Sequence, residues 1–204
     1  KVLHILGKGL LKIAAERRIA CSVNAGRWMF GKQHYEIVHN AVDISLFQYS
    51  REKEESIRKE FQLGERHIYG HVGNFVWSKN HLLMLQIFKE IQKQDPEAVL
   101  FFVGQGTMQK EIEEKVQELS LQDSVILTGV RKDVPVLMSA FNVLLFPSVY
   151  EGLPEDWAVE AVRMVRENSD STRECQREQI VKAGYDLDAL VKWYQDYFTR
   201  IITG

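Results

Sequence analysis

Three short runs carry residues that could work on a phosphorylated ligand. The first is Gly73-Asn74-Phe75-Val76-Trp77-Ser78-Lys79-Asn80-His81, in which a glycine closes an apolar run and a lysine stands where a helix pattern begins. A cation at a helix start opposes the macrodipole, whose amino end is partly positive. An anion held between the ammonium and the helix amides resolves that conflict. A solvated surface lysine is the plain alternative, and the commoner one for a lysine taken at random; position after a strand is what favours a ligand here. The second run, Gly104-Gln105-Gly106, lets a backbone come close to a diphosphate because no side chain intervenes. It lacks the third glycine of a dinucleotide fingerprint, since Gln109 stands there, and no acid ends the following strand to hold a ribose. A nicotinamide-cofactor site is therefore disfavoured.

The third run, Phe146-Pro147-Ser148-Val149-Tyr150-Glu151-Gly152-Leu153-Pro154, is the strongest signal. Glu151 follows a buried strand directly, where a carboxylate can accept hydrogen bonds from sugar hydroxyls, and the Gly152 amide can donate to phosphate. The bland reading of Glu151 is a turn acid that caps the next helix. Other chemistries find little support. His67 and His71 lie four apart on a strand, which sets them on one face but far from each other, unlike a helical metal pair. All six histidines are read as structural or surface residues, and no metal ligand set is assigned. There is no nucleophile elbow and no Cys/His arrangement. The aromatic cluster from Trp193 to Phe198 reads as a packing stripe, not a base-stacking surface.

The elements that must position these runs can be read from periodicity. Strands are expected at 67–72, 98–103, 124–128 and 142–146, closed by Gly73, Gly104, Gly129 and Pro147. Between them fall helix patterns over about 80–94, with Met84, Ile87, Phe88 and Ile91 on one stripe, and a second with Met108, Ile112, Val116 and Leu119. A short helix is expected at 134–141. Strands apolar throughout are covered on both faces, the mark of a parallel sheet between helices. The expected fold class is α/β, a doubly wound parallel sheet, preceded by a fragmentary segment and followed by a helical tail. Every special turn residue then gathers at the carboxyl edge of the sheet, where open α/β folds bind ligands. In the tail, helices are expected at 156–166, from a capping box at Ser171–Glu174, and at 187–201 behind Asp186. The last should bury Leu187, Leu190, Val191, Tyr194, Phe198 and Ile201.

Composition bounds the possibilities. Of 204 residues, 45% are hydrophobic and 26% charged, ordinary globular proportions that exclude disordered and collagen-like classes. Lys and Arg number 26 against 28 Asp and Glu, for a net charge of −2, and the charges are interspersed. No basic face for nucleic acid is concentrated anywhere. The longest apolar runs fall far short of the ~20 residues that cross a bilayer. Lys1–Gly7 offers no small-residue cleavage site, so no leader is expected from it. Cys21 and Cys175 give neither a metal spacing nor a disulfide framework and point to a reducing cytoplasm.

Read in order, HVGNFVWSKNH, FFVGQG, LTGVRKDVPVLMSAFNVLLFPS and YEGLP resemble the donor-binding domain of retaining glycosyltransferases of the GT-B fold. The likeness is to the large bacterial family, glycosyl transferases group 1, that builds exopolysaccharide, capsule and lipid-linked glycans. It covers roughly residues 36–154, and the four motifs together are specific. Val38-His39-Asn40-Ala41-Val42-Asp43 is similar to the family's interdomain Asn-Gly-Val-Asp linker, with Ala41 in place of glycine.

The resemblance implies roles. Lys79 and Glu151 would be the catalytic pair, Lys79 neutralising the donor diphosphate and Glu151 contacting the transferred sugar. Gly73, Asn74 and Gly104 would line the donor loop. Gly129, Val130 and Arg131 would hold the base through backbone groups, Leu137 would pack near the nucleoside, and Gly152 and Leu153 would meet the phosphates. Transfer would go with retention, without a metal, from a nucleotide sugar (a UDP-sugar by preference) to a glycan or lipid-linked acceptor. The site implied is cytoplasmic, at the inner membrane face where the acceptor is lipid-linked, although no basic amphipathic helix argues for membrane contact. Domains follow as 1–45, a remnant of the acceptor domain and linker; 46–184, the donor domain; and 185–204, a helix that packs back on the first.

Two departures stand out. Asn74 occupies the place of a usual arginine, which leaves one cation fewer. Val159 stands where a second glutamate is usual, with Glu160 one residue too far. The second departure, together with the junctions at Gly7–Lys8, Lys8–Gly9 and Pro154–Glu155, is read as family segments missing between residues that are adjacent here. Two other readings stay open: a nucleotide-sugar epimerase of the same fold, for which acid/base residues are not identified, and a non-catalytic nucleotide-sugar-binding module.

Overall fold

The structure, a computed structural model, describes residues 16–147, 154–167 and 187–203. The chain divides into two compact units, Leu46–Glu174 and a second made of Lys1–Ser45 with Cys175–Gly204.

In the smaller unit, β1 (Ile19–Ala20) and β2 (Glu36–Ile37) pair in parallel on either side of α1 (Val23–Phe30). Ser22 caps α1 by accepting from the Ala25 amide at 3.1 Å, and Gly31, at φ 67°, ends it in a conformation that costs glycine little. The last helix, α7 (Leu187–Thr203), belongs to the same unit. Its inward face departs from the expected stripe at three of the described positions. Leu187, Val191 and Tyr194 are exposed, whereas Tyr197 is buried and stacks on Trp193 with ring centroids 4.8 Å apart. The inward face runs along 190, 193 and 197, a helical spacing that a plain search for aliphatic residues overlooks. Asp186 and the capping box at 171–174 lie outside the described residues.

The larger unit follows the α/β expectation. Its elements are α2 (Arg51–Glu60), β3 (His67–Val72), α3 (His81–Gln94), β4 (Ala98–Val103), α4 (Gln109–Glu118), β5 (Val125–Gly129), α5 (Val134–Ala140), β6 (Val143–Leu144) and α6 (Pro154–Glu167). Among them α2 was not foreseen. Only Ile57 on it is buried, so it shows no apolar stripe. It forms because Ser50 caps it, Glu52 and Glu54 sit in its first turn, and Arg58 and Lys59 sit in its last.

Strands β3 to β6 form one parallel sheet in the order β5-β4-β3-β6. On β4 every residue is buried, and the side chains alternate between two cores. Leu100 and Phe102 pack with Met84, Ile87, Phe88 and Ile91 of α3, Ile112 and Val116 of α4, and Ala158, Ala161 and Val162 of α6. Val99, Phe101 and Val103 face Ile57 of α2 and Leu137 and Ala140 of α5. Each such buried large apolar side chain stabilises the fold by about 2 kcal/mol. Strand β6 is shorter than the expected 142–146; among the described residues it pairs with β3 alone, through Tyr69–Val143 and Gly70–Leu144.

Helix α6 is unbroken from Pro154 to Glu167, so the Pro154–Glu155 junction lies inside it; the junctions at 7–9 fall outside the described residues. No helix among the described residues is long and apolar enough to cross a membrane.

The strand order matters for function. From β3 the chain moves outward through β4 to β5, then returns to add β6 on the other flank of β3. The direction of winding reverses between β3 and β6, and the crevice beyond their carboxyl ends is where open sheets of this kind take ligands.

Candidate functional site

The loops at the carboxyl edge are tied together by their own backbones. Gly73 N–H donates to Val103 O at 3.0 Å, Gly104 N–H to Gly129 O at 2.9 Å, Phe75 N–H to Gln105 O at 2.9 Å and Met108 N–H to Phe75 O at 3.0 Å. The turns after β3, β4 and β5 therefore form one laced rim. Gly104 and Gly106 serve this lacing. A side chain on Gly104, whose φ is 138°, would strike Gly73 O, and one on Gly106 would strike Phe75 O. The expectation that this turn frees backbone for a diphosphate gives way to a nearer cause, the approach of one loop to another. Gly129 differs: at φ 69° it has open space beside it.

Lys79 ends a 3-10 turn, Trp77–Lys79, and Asn80 takes the left-handed conformation at φ 52°, which asparagine tolerates, before α3 begins. The Asn80 side chain does not cap α3, and among the described residues no other side chain bonds its first amides, which lie at the strand ends. The Lys79 ammonium lies 5.2 Å from the centre of the Phe146 ring. This contact joins the loop after β3 to the segment leaving β6, five residues before Glu151. Among the described residues no carboxylate pairs with Lys79. Glu151, Gly152 and Leu153 themselves lie outside the described residues. Asn74 is exposed at the rim, and Trp77 and Val130 project strongly, at 71% and 65% exposure.

Arg131 turns away from any ligand. Its guanidinium donates to Asp133 at 2.8 and 2.7 Å and to Glu60 at 2.6 and 3.1 Å, and it lies 5.8 Å from the Phe61 ring centre. The same contact holds the Asp133 carboxyl below the usual carboxylate range. Arg131 thus fastens the loop after β5 to α2, while Gly129 and the exposed Val130 lie at the rim. Leu137, expected near the nucleoside, is enclosed in the core on the inner side of α5.

Two residues read as merely structural sit at the heart of this region. His71, on β3, is 1% exposed and His81, the first residue of α3, is 0% exposed. Their rings meet edge to face at 4.9 Å, and Phe75 and Phe102 enclose His81 at 4.8 and 5.2 Å. His71 Nδ1 lies 2.9 Å from Leu145 O, which fixes the proton on that nitrogen. His71 Nε2 and both His81 nitrogens are buried with no hydrogen-bond partner. Burial chiefly, with Lys79 adding to it, lowers both pKa values, that of His81 to about 4; the Leu145 carbonyl pulls His71 the other way. Both rings are therefore neutral near pH 7. The clue in the sequence was position: His71 is two residues before the strand-closing Gly73 and His81 two after Lys79. Among the described residues no cluster of three or more His, Cys, Asp or Glu side chains could hold a metal.

An anion at the rim would meet the Lys79 ammonium, uncapped helix amides and open backbone at Gly129, an arrangement able to hold paired phosphoryl groups. Comparison with known proteins places the chain in a family. The family described as Glycosyl transferases group 1 matches residues 52–162, more than half of the chain. EpsF of Bacillus subtilis (strain 168) is 30% identical over 141 residues, which are 66% of this chain and 37% of that protein. The UDP-Gal:alpha-D-GlcNAc-diphosphoundecaprenol alpha-1,3-galactosyltransferase of Escherichia coli is 26% identical over 147 residues, 67% of this chain and 38% of that one. The chain thus spans well under half the length of these relatives. In fold it is similar to Anabaena Alr3699/HepE, solved in complex with UDP and glucose, with a TM-score of 0.79 at 16% identity over 96% of this chain and 66% of that one. By sequence and by its α/β, GT-B-type architecture, this chain belongs to the group 1 glycosyltransferases.

Proposed function

We propose that the chain is the donor-binding part of a glycosyltransferase that moves a sugar from a nucleotide sugar, preferably a UDP-sugar, to an acceptor hydroxyl with retention. The observation that carries this reading is the convergence of the β3 and β6 loops at the reversal of strand order, with Lys79 beside Phe146. Lys79 and the amides of α3 meet the diphosphate, Glu151 holds the transferred sugar, and Gly152 and Leu153 complete the phosphate cradle. Gly73, Asn74 and Gly104 form the floor of the loop, and the backbone of Gly129–Arg131 holds the base.

During transfer the bond between the anomeric carbon and the diphosphate breaks, its electron pair staying on the diphosphate. The acceptor oxygen bonds to the same carbon, and its proton passes to the departing diphosphate oxygen. Charge grows on the leaving diphosphate, and a fixed ammonium with oriented amides stabilises it without reorganising. No metal is assigned to this step.

The acceptor is proposed to be a growing exopolysaccharide or another cell-surface glycan, including one carried on a lipid, handled on the cytoplasmic side of the membrane. The Escherichia coli relative, by its name, acts on a diphosphoundecaprenol-linked sugar, and that supports a lipid-linked acceptor. Residues 1–45 and 185–204 are assigned to the acceptor side. Calorimetry with UDP, GDP and ADP, followed by a transfer assay of Glu151→Gln, tests the proposal. Binding of one nucleotide together with impaired transfer by the variant is expected; unchanged transfer by Glu151→Gln removes the sugar contact from Glu151.

A further inference from the structure

Two neutral imidazoles buried at the mouth of a crevice, with three ring nitrogens lacking any partner, need a physical reason. A buried polar atom left without a hydrogen bond costs about 1–3 kcal/mol, and folds seldom carry such atoms without use. At the opposite end of the same strand a histidine has its partner. His67 Nδ1 is 2.9 Å from Asp95 Oδ2, so β3 does not leave histidines unpartnered as a rule.

The orientation of His71 narrows the reason. Its Nδ1–H donates inward to Leu145 O, on the segment just after β6, so the ring bridges the two strands between which the winding reverses. Its other nitrogen points the opposite way. A Cβ added to Gly73 would come to 3.1 Å from His71 Nε2, so it is the bare backbone of Gly73 that keeps the path from this nitrogen to the rim clear. Gly73 is itself partly exposed there. Packed around the pair are Phe75, Phe102 and Phe146, none of which titrates. The groups acting on its charge are the two rings themselves, the Leu145 carbonyl, and Lys79 across from them.

Charge arithmetic supplies the rest. A nucleoside diphosphate sugar brings two negative phosphoryl groups, while the described rim offers Lys79 after β3 and the exposed Lys132 after β5. Arg131 is spent on Glu60 and Asp133. An anion placed beside Lys79 offsets that lysine's share of the cost of charging the imidazoles, a cost that burial chiefly sets, and His71 Nε2 is the unpartnered acceptor on the Gly73 side of the ring.

We propose that His71 is a concealed further cation of the donor site: when the diphosphate binds, His71 takes a proton from solvent on Nε2 and donates that N–H past Gly73 to a phosphoryl oxygen. His81 backs the ring. This rests on the donor-site reading above and adds to it a binding residue and a linked proton. The proton balance is simple, one proton leaving bulk water and one imidazole becoming imidazolium as the ligand binds.

The test is calorimetric titration of the intact protein with UDP-glucose at pH 6.5 in several buffers of different ionisation enthalpy. UDP-glucose is chosen because its phosphoryl groups are diesters; a terminal phosphate with a pKa near ~6 would exchange protons of its own. The expected result is uptake of about one proton per ligand bound, with affinity falling close to tenfold per pH unit between the pKa of His71 in the free protein and its raised pKa in the complex. His71→Asn, whose amide can still donate to Leu145 O, should bind more weakly at pH 6.5 and take up no proton. Nitrogen spectra of the histidine rings locate the proton in the unaltered protein, should that variant not fold. Binding of UDP-glucose with no uptake, or with uptake that leaves the His71 ring signals unmoved, overturns the inference and spares the donor site. Failure to bind any UDP-, GDP- or ADP-sugar overturns the donor site and the inference together.

Discussion

The two ends of one strand show how this fold divides its labour. At the amino end of β3, His67 meets Asp95 at 2.9 Å, and the Tyr69 hydroxyl donates to the same carboxylate at 3.1 Å. There Arg66 reaches the carbonyls of Glu97 and Ala98, and the Ile68 amide donates to Asn142 Oδ1 at 2.7 Å. Polar atoms at that end find partners within the chain. At the carboxyl end, four residues on, His71 keeps one nitrogen without a partner, His81 keeps two, α3 goes uncapped, and Trp77 and Val130 project. The first end is finished by folding. The second is left incomplete in a way that an anionic ligand can complete, and the difference separates structural polar groups from functional ones more sharply than residue type does.

Four experiments can break or sharpen this contrast. The largest effect should come from Lys79→Ala, which removes the ammonium at the functional end. Transfer should fall about a hundredfold or more, with nucleotide affinity reduced and the melting temperature unchanged; equal affinity for variant and wild type breaks the contrast. The next concerns acid. The folded pKa of His81 is lowered to about 4, below its ordinary 6.5, so the unfolded chain binds the proton first as pH falls. The stability from a neutral His81 is thus whole above pH 6.5 and is lost on acidification toward pH 4, by up to about 3 kcal/mol. In urea titrations His81→Phe should flatten this acid limb.

Third, Asp95→Ala at the structural end leaves the buried Tyr69 hydroxyl without its acceptor and should cost about 2 kcal/mol of stability while leaving UDP affinity where it was. A loss of nucleotide affinity there would erase the distinction between the ends. Smallest is Arg131→Met, which unfastens the loop after β5 from Glu60 and Asp133. Since these ion pairs are partly exposed, a loss of about 1 kcal/mol or less is expected, with a rise in KM greater than any fall in kcat.

The sequence made the sheet legible because its signal is local. β3 and β4 match their expected limits residue for residue, since buried parallel strands are apolar throughout and end at glycines. Helix α2 was missed for the same reason: its stability comes from Ser50 and charge order, and it buries Ile57 alone. In α7 the expected stripe departs at Leu187, Val191 and Tyr194, which are exposed, because Trp193 and Tyr197 face inward beside Leu190.

At the site, Lys79 could be placed by its position before a helix. The role of Arg131 side-chain contacts could not, as Glu60 is 71 residues away in sequence. Nor could the enclosure of Leu137, or the meeting of His71 with His81. Those depend on which strand lies beside β3, a long-range fact that periodicity does not encode.

The account stands most directly on where a nucleotide touches the chain. Backbone amide spectra recorded during titration with UDP measure this without any substitution. Shifts should concentrate at Gly73, Lys79, Gly104, Gly129 and Val130, with Arg66, Asp95 and Ala98 undisturbed. Shifts centred on Arg66 and Asp95 instead, or none at any UDP concentration, would contradict it.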